Sequence, residues 1–376
     1  MKYFIQRYTK EIAKKILSIV SSLFSTPLNK EDTRDLDLLE EIFKTDSFEL
    51  SMLMINGIRK KLPVNVCYSE SKLFKIRNLK NQLLRILPSG GICSDRKILC
   101  TGFNNQQSFN ILGYLQSYIK SKKAISGTII CNWPQQFLTY GDFVIQLLPE
   151  LCLIKSIISQ EEWSSAKFIF YRPSTFLISY LMILGCNERQ IIDSSGCNFT
   201  VEGESQIYFR EKDEMWFLCA PFKLLEISRK YLMPKENTTG EKILFVERRG
   251  GYRKAIGFDE NIRVQLRGVG VSFFDPTNVS IEEQIQAFTN AQLVIGIHGA
   301  GMSNILWCRE GTKIVEIFHP NFAPWCYAIL ANQLNMDYYS LGRDPGSMDI
   351  NFRETDVEVD WNYLIDLIKK LSVNIN

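Results

Sequence analysis

Residues 291–320 read AQLVIGIHGAGMSNILWCREGTKIVEIFHP, a succession of strand, glycine turn, helix and strand. Leu293 to Ile297 is a short apolar run with β-branched members, the pattern of a buried parallel strand. His298-Gly299-Ala300-Gly301 interrupts that run. Ser303 and Asn304 are able to cap the helix that follows, and Ile305, Leu306 and Trp307 give it an apolar face. Glu310-Gly311 closes it. Lys313 to Phe318 is a second strand, with Glu316 near its C-terminal end.

The turn decides what this unit does. Glycines at 299 and 301 let the backbone approach a ligand closely. A helix starting at about Ser303 offers unpaired N–H groups and a positive dipole end, which together attract an anion, most often phosphate. In open α/β sheets ligands bind beyond the carboxyl ends of the strands, where His298, the glycines and Glu316 all fall. A carboxylate at Glu316 is placed to accept hydrogen bonds from ribose hydroxyls. The competing reading is a plain tight turn with His298 satisfied in the core.

Upstream, Lys242 to Glu247 predicts the first strand of the same sheet. Arg248-Arg249-Gly250-Gly251-Tyr252-Arg253-Lys254 follows it directly, with four cations in seven residues. Arginine neutralises phosphate bidentately, so this loop suits a diphosphate at the same strand ends; the alternative is a solvated basic loop. Asn261–Leu266 reads as a helix, Val269–Phe274 as a strand, and a further helix precedes Ala291. The polar, turn-rich PKENTTGE of residues 234–241 marks a linker. The expected division is therefore residues 1–233, then 234–355, with a closing helix in 356–376 that packs back on the first domain.

In the first half, Phe168–Tyr171, a helix beginning at Pro173-Ser174-Thr175, Ile191-Ile192 and Gln206–Phe209 alternate as in a Rossmann-like domain. Lys97–Thr101 and Gly127–Cys131 are further strands. Leu38–Leu62 carries apolar residues at helical spacing and is predicted helical, ended by Pro63. Asp35 and Asp37 lie in a charged stretch before it and read as a solvated turn. Asp142, in Tyr140-Gly141-Asp142-Phe143, is placed to cap the helix through Ile145 and Leu148. Met1–Phe24 is a basic amphipathic segment that packs on its own domain or lies on an anionic membrane surface.

Composition narrows the class. Of 376 residues, 45% are hydrophobic and 23% charged, which describes a soluble globular chain. A net charge of +3 is too small to argue for a nucleic-acid partner. Ten scattered cysteines and two histidines offer no zinc spacing. The thiols and the absence of an evident secretory signal lead to the expectation of a cytoplasmic protein, peripheral on the inner membrane face if residues 1–24 touch lipid.

Gly296-Ile297-His298-Gly299-Ala300-Gly301-Met302-Ser303-Asn304, followed by the Val315-Glu316-Ile317 strand, resembles the signature of the glycosyltransferase 61 family. Arg248, Arg249 and Arg253 fit its arginine-bearing strand end, and Leu147–Leu151 resembles its Leu-Pro-Arg-Leu element. Asp142 stands where many members have histidine. The resemblance implies a GT-B fold with two Rossmann-like domains facing a cleft, and an inverting, metal-independent sugar transfer from a nucleotide sugar to a glycan hydroxyl, as in capsular polysaccharide synthesis. UDP is the expected nucleotide, and no cofactor is implied. It places Arg248, Arg249, Arg253, Gly299, Ala300, Gly301, Asn304 and Glu316 at the donor. His298 would stabilise the departing diphosphate, and Asp142 would be the base. Two other readings stay open: an inactive nucleotide- or glycan-binding module of the same fold, and a nicotinamide-dependent oxidoreductase. The latter is disfavoured by G-x-x-G-x-G spacing late in the chain.

Overall fold

The computed structural model describes residues 27–28, 39–44, 48–68, 72–78, 84–87, 92–94, 97–99, 121–131, 139–210, 219–235, 240–248 and 252–373. These fall into two compact units, each assembled from separate stretches. One takes the described residues within 1–47, 68–138 and 154–214; the other takes those within 48–67, 139–153 and 215–376. A single cut at 233/234 does not separate them, because two earlier stretches fold with the C-terminal residues. The segments 1–24, Asp35 and Asp37 lie outside the described residues.

The first unit contains a six-stranded sheet. Ile191–Asp193, Lys167–Phe170, Thr128–Ile130 and Ser205–Arg210 run parallel in that spatial order, and Lys72–Asn78 and Leu39–Lys44 add antiparallel strands at one side. A second six-stranded sheet includes Cys197–Val201, paired parallel with Ser121–Ile125 and antiparallel with Leu84–Ile86. The helix Thr175–Ile183 starts where the sequence placed it and ends before Gly185, whose φ of +85° suits glycine.

The second unit is built on five parallel strands, here β1 (Ile243–Val246), β2 (Val271–Phe274), β3 (Leu293–Ile297), β4 (Lys313–Ile317) and β5 (Asp337–Leu341). Their spatial order is β2-β1-β3-β4-β5. This is a doubly wound order whose direction reverses between β1 and β3. Both strands are buried along their whole length, as an apolar run without alternation requires. The helices are α1 (Glu260–Gly268), α2 (Ile281–Asn290), α3 (Cys326–Gln333) and α4 (Trp361–Ser372). Asp259 caps α1, and Ser280 with Glu283 forms a capping box on α2.

The last helix differs from expectation. Leu364, Ile365, Ile368 and Leu371 of α4 pack into the core with Ile243, Phe245, Leu293 and Ile295 of the five-stranded sheet. Their spacing of one, three and three residues makes one apolar stripe, and each buried side chain contributes about 1.5–3 kcal/mol. Trp361 extends the stripe by stacking on Phe258 at 5.1 Å and donating its indole N–H to the Ile256 carbonyl at 3.0 Å. The helix thus completes the sheet of its own unit instead of returning to the first.

The predicted helix over Leu38–Leu62 is also corrected: these residues form strands Leu39–Lys44, Phe48–Ile55 and the start of Ile58–Tyr68. Asn56 and Gly57, with φ of +54° and +72°, make the two-residue turn of a hairpin. Leu53 and Ile55 are buried while Met52 and Met54 are exposed, the period-two pattern of a strand. The hairpin is tied to edge strand β5: Asn56 N–H donates to the Tyr338 carbonyl at 2.9 Å, and Ser340 N–H donates to Asn56 Oδ1 at 2.9 Å. Lys60 pairs with Asp344 nearby.

Candidate active site

The carboxyl ends of β1 and β3 flank the reversal of strand order. Residues just past them are Glu247 and Arg248 on one side and His298 and Gly299 on the other. Arg248 is organised by backbone groups. Its Nε donates to the Tyr252 carbonyl at 2.7 Å and its Nη1 to the His298 carbonyl at 3.3 Å. The guanidinium lies over Gly299, where an added Cβ would collide with Nη1. Gly299 is extended (φ 173°), so glycine is demanded there by proximity to the arginine and not by backbone strain. Glu247 turns away and pairs with Arg263.

Arg253 lies in the same loop with φ of +58°, and its guanidinium is 5.6 Å from the Phe322 ring. Its buried Nε has no hydrogen-bond partner. Burial, with Arg248 and Arg353 beside it, pulls its titration down to about 10. Burial lowers Arg248 as well. Arg353 comes from a segment tied to this loop by a parallel bridge between Ala255 and Val357 and by Lys254 N–H donating to Asp356 Oδ1 at 2.8 Å. Cations whose charges repel one another are held together here, a configuration that an anion stabilises. Arg249 lies outside the described residues.

The turn after β3 is a 3-10 helix over Ala300–Trp307, not an α-helix from Ser303. Ser303 and Asn304 do not cap it from outside. They sit within it and bond back to the Ala300 carbonyl at 2.7 Å and the Gly301 carbonyl at 3.3 Å. Such back-bonding competes with regular α-helical pairing. Arg229 closes the far end by donating to the Leu306 and Cys308 carbonyls at 3.0 and 2.7 Å. Gly301 is needed for packing: an added Cβ would stand 3.2 Å from Val246 and 3.3 Å from Pro276. Asn304 is fully buried, donating to Gln284 Oε1 at 3.0 Å. Gly301 and Asn304 therefore support the turn from below. Of the residues expected at the donor, Gly299 lies beside Arg248 and Ala300 is exposed.

The stretch around Asp142 reaches the same turn. Tyr140 Oη lies 2.7 Å from Asn304 Oδ1 and 2.9 Å from Gln284 Oε1. Gly141 has no side chain to keep Ala300 away; an added Cβ would lie 3.4 Å from Ala300 Cα and 3.2 Å from Tyr327 Oη. Thr139, not Asp142, is the N-cap of this short helical start, its Oγ1 accepting from Asp142 N–H at 3.3 Å. The same hydroxyl donates to Asp142 Oδ2 at 2.6 Å. Burial pushes the Asp142 carboxyl up, opposed by the Thr139 hydrogen bond and by Arg353. A carboxyl raised toward neutrality is a better proton acceptor than an ordinary surface aspartate.

His298 is 8% exposed and enclosed by Phe318, Phe322 and Tyr327, with ring centroids at 5.5, 5.8 and 5.4 Å. Its Nδ1 is 2.6 Å from Glu316 Oε1, and Tyr338 donates to Glu316 Oε2 at 2.6 Å. Glu316 is completely buried, and both of its oxygens are engaged. Its carboxylate faces the histidine and does not present itself to a ribose, as its place on the strand had suggested. Tyr338 and Arg353 were not singled out in the sequence. Ser340, Tyr338's neighbour on β5, pairs in register with Glu316, but nothing local signals the contact. Among the described residues no group of three His, Cys, Asp or Glu side chains is arranged to hold a metal.

Comparison with known proteins converges on the same stretch. Residues 140–315 match the family model described as Glycosyltransferase 61, which spans Tyr140, the Arg248 loop and the His298 turn. A beta-1,2-xylosyltransferase, RCN11, from Oryza sativa subsp. japonica is 24% identical over 302 residues, covering 70% of this chain and 53% of the plant protein. The chain thus spans about half the length of that curated relative. The resemblance read from the His298 turn is borne out over these residues.

Proposed function

We propose that this chain, which carries a glycosyltransferase 61 region, transfers a sugar from a nucleotide-sugar donor to a glycan hydroxyl with inversion at the anomeric carbon. The observation that carries the reading is Arg248, seated over Gly299 and on the His298 carbonyl at the reversal of strand order in a parallel sheet. The donor diphosphate would lie there, facing Arg248 and Arg253. Their charge would stabilise the departing nucleoside diphosphate, the task a divalent metal performs in other transferases. One proton acceptor is required for the incoming hydroxyl, and Asp142 and His298 are the candidates for it. Adjacent parallel strands in a sheet of each unit support the finer reading of a GT-B fold. UDP is the nucleotide proposed, and a pentose such as xylose suits the named activity of the plant relative.

Calorimetric and thermal-shift titration of the protein with UDP, GDP, CMP, UDP-xylose and NADH tests the reading. Selective stabilisation by one nucleoside diphosphate, lost in Arg248→Ala, is the expected result. Stabilisation by NADH alone would replace the transferase with an oxidoreductase. Donor binding without hydrolysis or transfer to any glycan would leave a binding module of the same fold.

A further inference from the structure

We infer that His298 is the group that takes the proton from the incoming hydroxyl, with Glu316 and Tyr338 as its positioning residues. This rests on the donor site proposed above. The geometry starts from a buried carboxylate. Glu316 has no exposure, and its hydrogen bonds run to His298 Nδ1 and to Tyr338. Burial, and then the Glu316 charge, push the Tyr338 phenol well above its ordinary range, so it stays a donor. An ionised carboxylate only accepts, so the hydrogen between Glu316 and His298 belongs to Nδ1. The neutral ring is thereby set to one tautomer with its lone pair on Nε2. Phe318, Phe322 and Tyr327 hold the ring plane. Among the described residues Nε2 has no hydrogen-bond partner. A base whose far nitrogen is oriented by a carboxylate is the arrangement that activates hydroxyls on unrelated folds.

In the step itself, the acceptor O–H bond breaks and its proton goes to Nε2. The acceptor oxygen forms a bond to the anomeric carbon. The bond from that carbon to the diphosphate breaks, and its electron pair stays on the diphosphate oxygen, facing Arg248 and Arg253. The imidazolium formed is balanced by Glu316.

Two measurements test this. The chain has two histidines, and they are set in opposite senses. His319 Nδ1 accepts from Asn321 N–H at 3.1 Å, so its neutral ring carries hydrogen on Nε2. A long-range proton–nitrogen spectrum of histidine-labelled protein at alkaline pH should show one ring of each tautomer, and His319→Gln should remove the Nε2-protonated one. An Nε2-protonated His298 would overturn the assignment without any catalytic assay. The second measurement uses UDP-xylose as probe donor and compares turnover with UDP affinity. His298→Gln should lower kcat by about 10²–10⁴-fold with UDP binding largely retained. Tyr338→Phe should lower kcat by about tenfold with KM unchanged. A deeper loss in Asp142→Asn than in His298→Gln assigns the base to Asp142 and sinks the inference. Failure of the wild-type protein to bind UDP or GDP would remove the donor reading, and the catalytic role of His298 with it, while the tautomer result would stand.

Discussion

Each unit has a sheet with adjacent parallel strands and an arginine just beyond one strand's carboxyl end, but the two ends treat charge differently. In the first unit Arg172 follows Lys167–Phe170 with φ of +52°, and its N–H donates to Asp193 Oδ1 at 3.0 Å. Ser195 adds bonds from its N–H and hydroxyl to the same carboxylate at 2.8 and 3.0 Å. That strand end is satisfied internally. In the second unit Arg248 and Arg253 are half-buried with other arginines as their charged neighbours, and Arg253 Nε is unpartnered. Similar architecture thus gives a closed turn in one unit and, in the other, a group of uncompensated arginines at the proposed donor site. What separates them is that Asp193 accepts the Arg172 backbone N–H and lies near its charge, whereas Arg253 faces other arginines.

The largest expected effect breaks the open end. Arg248→Ala and Arg253→Ala should each weaken UDP binding by about 10–150-fold in calorimetric titration, the worth of a charge-assisted hydrogen bond. Binding unchanged in both variants would place the nucleotide elsewhere. A smaller effect is expected from Gly299→Ala. The new methyl displaces only the tip of a flexible arginine, so the melting temperature should hold while UDP affinity drops by about tenfold. Gly301→Ala should do the opposite, lowering the melting temperature through contact with Val246 and Pro276 and affecting UDP less.

The smallest effect tests the closed end. Burial pushes the Asp193 carboxyl up, but hydrogen bonds from Ser195 and Arg172 outweigh it and hold the group below its ordinary range. A lowered folded-state value stabilises the protein above the unfolded carboxyl titration and is lost as pH falls through the folded one. Asp193→Asn should therefore lower the melting temperature at neutral pH by about 2–4 °C. The deficit should close below the usual aspartate value of about 3.9. UDP binding should be indifferent to this change. A deficit that persists in acid would mean the carboxylate's charge is not what stabilises the turn.

The sequence was most legible where chemistry and local pattern coincide. Strands β1 to β4 of the second sheet, the turn at His298 and the basic loop at Arg248 lie where residue types predicted. Leu38–Leu62 was misread because its apolar residues also fit helical spacing. The decisive local signal was Asn56-Gly57, residue types that tolerate the left-handed angles of a tight hairpin turn. Gly301 and Asn304 were read as ligand contacts because close approach to a ligand and close approach to Val246 or Gln284 demand the same residue types. Arg353 was silent because its proximity to Arg253 depends on the bridge between Ala255 and Val357, about a hundred residues apart in the chain.

By itself, then, the sequence determined the succession of β1 to β4 and the presence of glycines and cations at their ends, since these follow from period, turn chemistry and charge. Only the tertiary structure decided which of those residues are exposed and which are buried against one another. Strands β3 and β4 are buried along nearly all their length, so no alternation of polar and apolar residues marks a face. The direction of Glu316, toward His298 and Tyr338 and away from solvent, is set by the register of β3, β4 and β5, which long-range pairing alone fixes.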